Sequence, residues 1–144
     1  MTTAKLRLAY NPIALAVRFF LEMTSLAAFG FWAFHTAPGG FRWIAALALP
    51  VAVAVAWGVF AVPGDPSRSG RAPVATPGPL RLLLELIVFF GSVVALAASN
   101  APAVALVYAI ILVLYHVTAY ARIRWLLGQK QLPKLPASPQ VNEH

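Results

Sequence analysis

Residues 80–99 read LRLLLELIVFFGSVVALAAS, an apolar run interrupted only by Arg81 and Glu85. Crossing a bilayer takes about 20 such residues as a helix. The hydrocarbon offers no water to satisfy a strand edge, so a helix is the form this stretch must take. It therefore predicts a membrane span, and the two charges inside it are the feature to be explained.

Outward from this stretch the rest of the chain has the same character. Of its 144 residues, 60% are hydrophobic and 10% charged, with mean hydropathy +0.77. A soluble domain runs at roughly 45–50% apolar and about 25% charged, so a soluble globular protein is excluded, and so is a disordered one. Spans are expected at about 11–34, 41–62, 79–99 and 102–127, giving an all-α, integral membrane four-helix bundle. Pro12, Pro79 and Pro102 each fall at the start of a span, where a missing N–H costs nothing. The Val and Ala alternation of 51–56 imitates a strand, but its neighbours are apolar on both faces and the helix reading prevails. Short connections at 35–40 and 100–102 make the first and second, and the third and fourth, spans antiparallel neighbours. The segment from Pro63 to Pro79 reads as a polar linker, and 129–144 as a Pro-rich basic tail.

Positive charge sets the expected orientation. Lys5, Arg7, Arg68, Arg71, Arg122, Arg124, Lys130 and Lys134 fall on one side, eight of the 11 basic residues. Arg42 is on the other side, while Arg18 and Arg81 lie within spans. Both termini and the middle linker are thus expected in the cytoplasm, with the chain multi-pass in a bacterial plasma membrane. The sequence pI of about 10.6 follows from this bias. With no soluble part to form a binding face, nucleic acid is not an expected partner. The first span exceeds the usual apolar length of a signal peptide and lacks a small-x-small cleavage site after it. Trp32, Phe34, Phe41 and Trp43 mark one membrane boundary, and Tyr10 and Trp125 the other.

The charges inside the spans repeat. Arg18-Phe19-Phe20-Leu21-Glu22 aligns with Arg81-Leu82-Leu83-Leu84-Glu85, suggesting two similar hairpins in a parallel duplication. The i, i+4 spacing puts each Arg and Glu on one helix face. Glu22 lies about 11 residues, or roughly 16 Å, into its span, and Glu85 about 6 residues, or roughly 9 Å. A bare charge at such depth costs at least about 2.5–3.5 kcal/mol, so each carboxylate must face inward to a partner or to water. Three readings follow: a mutual clamp of Arg18, Glu22, Arg81 and Glu85, a proton or ligand site at one Glu, or a site completed by a partner subunit. In the clamp reading the charges pair within each copy, Arg18 with Glu22 and Arg81 with Glu85, and also across the copies, with Arg18 reaching Glu85 and Arg81 reaching Glu22.

His116 and Tyr115 lie at a depth similar to Glu85 and are candidate relay or polar partners; a neutral His116 bonded to a neighbouring helix is the plainer alternative. A cation held by Glu22, Glu85 and His116 would be opposed by the two guanidinium groups, so no metal site is expected. His35 and His116 stand too far apart to share one haem iron. The chain has no cysteine and no recognisable nucleophile–base pair, so no catalytic residue is assigned. No cofactor is expected, although a lipid, a quinone or a haem held by a single histidine stays compatible with the sequence.

Arg18-Phe19-Phe20-Leu21-Glu22, Trp57-Gly58-Val59-Phe60 with Pro63, and Pro79-Leu80-Arg81-Leu82 with Glu85-Leu86 together resemble the YrdB-like family of small, uncharacterised bacterial membrane proteins. The resemblance covers about residues 11–120. It implies four spans and recurring charges at Arg18, Glu22, Arg81 and Glu85, and brings no activity with it. The function expected from these features is a non-enzymatic accessory or scaffold subunit of a larger bacterial membrane complex, with membrane lipids and other proteins, or further copies of itself, as partners. The alternative is a small proton-coupled carrier or channel working as a homo-oligomer through Glu22 and Glu85.

Overall fold

The computed structural model describes residues 12–65 and 72–128. Lys5, Arg7, Tyr10, Arg68, Arg71, Lys130, Lys134 and the Pro-rich tail lie outside the described residues. Within them the chain forms helices α1 (Pro12–Thr36), α2 (Phe41–Val59), α3 (Gly78–Ala98), α4 (Pro102–Thr118) and α5 (Tyr120–Gly128). Two short strands, β1 (Phe60–Ala61) and β2 (Val74–Ala75), pair in parallel with Phe60 opposite Val74. Helices α1, α2 and α3 are each long and apolar enough to cross a membrane, and α4 with α5 makes a fourth such stretch, bent by 65°.

The core lies between α1, α3 and α4. Leu21 and Ala28 meet Phe89 and Leu96 of α3 and Ala105, Tyr108 and Leu112 of α4. A ladder of hydroxyls crosses it. The Tyr108 hydroxyl donates to the Leu21 carbonyl at 2.7 Å and lies 2.8 Å from Ser25 Oγ, which in turn is 3.1 Å from Ser92 Oγ. All three side chains are buried, and each hydroxyl has a partner, as apolar surroundings require. Outward, Phe20, Leu47, Val94, Leu106 and Val117 are among many large apolar side chains left exposed. Lipid tails rather than water suit such a surface.

Helix α2 packs on α1 and buries none of its own residues. Their approach is set by Pro50 and Gly30. Pro50 has no N–H, so the Ala46 carbonyl one turn earlier loses its helical partner. Gly30 of α1 faces that carbonyl so closely that a Cβ there would stand 2.9 Å from the Ala46 oxygen and 3.1 Å from Pro50 Cγ. Only a glycine lets the α1 backbone come this near, and its α-hydrogens are the weak donors available to the freed oxygen.

Two boundaries differ from the expectation. The second span stops being helical at Val59, because Phe60 turns extended and pairs with Val74. The fourth is not continuous to 127: it ends at Thr118 and resumes at Tyr120 in a new direction. Arg122 is drawn into the protein, 5% exposed, toward carboxylates that a straight helix need not have met.

Candidate functional site

Helix α2 ends beside the start of α3, and this juncture gathers the interior charges. Glu85, on the second turn of α3, is 3% exposed and accepts four N–H bonds. Arg122 of α5 grips it with both ends of its fork, Nη1 to Oε2 at 2.6 Å and Nη2 to Oε1 at 2.7 Å. Arg18 of α1 donates Nη2 to Oε1 at 2.8 Å, and Arg81, one turn before Glu85, donates Nε to the same oxygen at 3.1 Å. An ionised carboxylate offers about four lone-pair sites, and Glu85 accepts four N–H bonds from three guanidinium groups, three at Oε1 and one at Oε2.

Each arginine has further partners. Arg18 Nε donates to Glu22 Oε1 at 2.8 Å, so one guanidinium bridges both glutamates. Arg122 Nη2 also reaches Asp65 Oδ2 at 3.3 Å. Arg81 sends Nη1 to the carbonyls of Trp57 and Phe60, at the C-terminal end of α2. The negative end of the α2 dipole favours a cation there. Arg81 thus caps α2 from α3. Its guanidinium carbon sits 4.2 Å from the Trp57 ring centroid, and that of Arg18 5.6 Å from the same ring. The indole supplies the cation–π face that a desolvated guanidinium otherwise lacks.

Asp65 reaches this cluster by a turn. Asp65 N–H donates to the Val62 carbonyl at 3.2 Å, with Pro63 and Gly64 between them and Gly64 at φ +76°. Proline then a positive-φ glycine is the type II arrangement, and any other residue at Gly64 would be strained. Among the described residues the cluster therefore balances Arg18, Arg81 and Arg122 against Glu22, Asp65 and Glu85. Three guanidinium groups carry more N–H bonds than three carboxylates absorb, and Arg18 Nη1 and Arg122 Nε are left buried without a partner.

Arg18, Glu22, Arg81 and Glu85, singled out by spacing, are thus all brought together. The reciprocal pairing expected across the copies is not what forms. The expected pairs within each copy do form, Arg18 with Glu22 and Arg81 with Glu85, and across the copies Arg18 reaches Glu85; Arg81 turns to the α2 carbonyls rather than to Glu22, so the arrangement has no twofold character. His116 stands apart: its Nδ1 is 2.7 Å from the Leu112 carbonyl and its ring packs on Phe89, Phe90 and Tyr115. Tyr115 packs edge-on against Phe89. Among the described residues no group of three His, Cys, Asp or Glu side chains is placed to hold a metal ion.

Spacing missed Arg122, Asp65 and Trp57. In sequence Arg122 reads as one of the basic residues outside the membrane, and Asp65 as part of a polar linker. One signal was present: the chain has only four acidic residues, so each acid in or beside a span is contested by several arginines.

A helical protein with three to four stretches long and apolar enough to cross a membrane, and a largely buried cluster of charges at one end, is the class these features define. Within that class, the chain belongs to the family described as "Protein of unknown function (DUF2568)", whose match spans residues 16–113. It is 40% identical over 119 residues to "Uncharacterized protein YrdB" of Bacillus subtilis (strain 168), covering 83% of this chain and 97% of that protein. No solved structure matches the chain. The family match contains Arg18, Glu22, Asp65, Arg81 and Glu85 and stops before Arg122 and α5.

Proposed function

We propose that this protein is a non-enzymatic accessory or scaffold subunit of a larger bacterial membrane assembly. In this reading it is a four-span bundle of two similar hairpins, with both termini in the cytoplasm of a plasma-membrane protein. The observation that carries it is the engagement of buried Glu85 by three arginines at once. A carboxylate holding four N–H bonds from three arginines is an anchor for helix ends, not a group that exchanges protons with a substrate. The two Arg-x-x-x-Glu copies support a duplication whose halves have since divided their tasks. Helix α2, with no residue buried in its own chain, supports a face available to another span. Cross-linking in native membranes followed by purification under mild detergent tests the reading. Recovery of a defined partner is the expected result, and recovery of the monomer alone would overturn it.

The second reading, a proton-coupled carrier or channel acting as a homo-oligomer, draws support from Glu22. Its side chain is 22% exposed and pairs with Arg18 alone among the ion pairs of the described residues. Proteoliposomes carrying the wild type and Glu22→Gln would separate the two. Proton flux that the substitution abolishes belongs to the carrier, and absence of flux from both belongs to the scaffold.

A further inference from the structure

We propose that α5 is an interfacial helix that seats on the headgroups of anionic lipids through Arg124, and that Arg122-Ile123-Arg124 divides its two charges between protein and membrane. The helix leaves the direction of α4 by 65° at Ala119, after a stretch of 17 residues that spans roughly 25 Å at 1.5 Å per residue. That length uses up most of a hydrocarbon core, so the turn falls where headgroups begin. Within α5, Arg122 and Leu126 face the protein and are buried. Tyr120, Arg124 and Leu127, at i, i+4 and i+7, form the opposite ridge and are exposed, Tyr120 at 60% and Leu127 at 45%.

The ridge has the composition of a membrane surface contact: an aromatic, a cation and an aliphatic side chain, with Trp125 half-buried beside it. The Arg124 guanidinium carbon sits 5.8 Å from the Tyr120 ring centroid and pairs with no carboxylate among the described residues. Charge selects the partner. No Asp or Glu occurs between Glu85 and Glu143, while Arg124, Lys130 and Lys134 follow one another in sequence. A surface of that sign fits anionic phospholipid rather than zwitterionic lipid or an acidic-residue-poor span of another protein. Arg122, held by both oxygens of Glu85, ties the inner face of α5 to the protein, so that the ridge is presented at a fixed depth.

The test uses the full chain in mild detergent, titrated with phosphatidylglycerol or phosphatidylcholine and read by native mass spectrometry. Wild type is expected to retain phosphatidylglycerol over phosphatidylcholine. Arg124→Gln should weaken that retention about fivefold, the factor of one basic residue at an anionic surface, while Arg42→Gln at the other end of the helices leaves it unchanged. Retention unchanged by Arg124→Gln, or equal for the two lipids in wild type, would overturn the proposal. A second readout is independent of affinity. The chain has no cysteine, so Leu127→Cys can carry a single nitroxide. In liposomes containing phosphatidylglycerol the label should report headgroup depth, and a label freely accessible to an aqueous relaxant would equally refute an interfacial α5.

Discussion

Arg122 of α5 and Glu85 of α3 meet through two parallel hydrogen bonds of 2.6 and 2.7 Å, fork to fork, although 37 residues separate them in sequence. This pair joins the last described helix to the charge cluster at the end of the bundle. The bend after Thr118 turns α5 toward the carboxylate, and in that direction Arg122 meets both of its oxygens. Bidentate geometry makes such a pair both strong and selective.

Glu85→Gln should be more damaging than Glu22→Gln. The amide replaces one acceptor oxygen by a donor pointing at three guanidinium groups, and breaking a buried pair by removing one partner costs about 3–5 kcal/mol. Removing Arg122 as well relieves part of the conflict, so Glu85→Gln with Arg122→Gln should be more stable than Glu85→Gln alone. Denaturation in mixed detergent measures Glu22→Gln, Glu85→Gln, Arg122→Gln and the double variant. A double variant whose loss is the sum of the two single losses would count against the clamp.

Arg122→Lys should fail to rescue. Lysine keeps the charge but offers a point donor where Arg122 holds both Glu85 oxygens and Asp65 at once. A loss of about 1–3 kcal/mol, with protease cleavage near Ala119 increased, is expected from the unmade bonds. Wild-type protease resistance in Arg122→Lys would show that charge alone suffices.

Gly30→Ala should loosen α1 from α2. The new methyl meets the Ala46 carbonyl oxygen at 2.9 Å, a backbone atom that cannot swing aside. Forcing a methyl into such a contact costs about 1–3 kcal/mol. Gly58→Ala is the matched control, since nothing lies within 4 Å of a Cβ there. Thermal aggregation midpoints in detergent should fall for the first and hold for the second.

Tyr108→Phe should cost about 1–3 kcal/mol, because the Leu21 carbonyl and Ser25 hydroxyl lose a buried partner without gaining water. Ser25→Ala added to Tyr108→Phe should cost little more, since the two side chains serve one network. Fully additive losses in a double-mutant cycle would show that the hydroxyls act independently.

Much of this protein was legible without coordinates. The apolar runs, the prolines at span starts and the four charges at i, i+4 spacing are local features, and the helix period alone assigns each Arg and Glu to a common face. Membrane insertion then forces those charges inward, because a lone charge in hydrocarbon is too costly to leave facing lipid. What could not be read is which charge meets which. Partner choice depends on the rotation and relative depth of separate helices, and these are set by contacts such as Gly30 against Ala46 that no single-helix pattern encodes. Arg122 read as a solvent-side cation because its position after His116 suited either role. Asp65 read as a linker residue because the turn at Pro63-Gly64 reveals a reversal but not its destination. Only the tertiary structure returns both to Glu85, where three arginines compete for acceptors and a chain with four acidic residues has few others to offer.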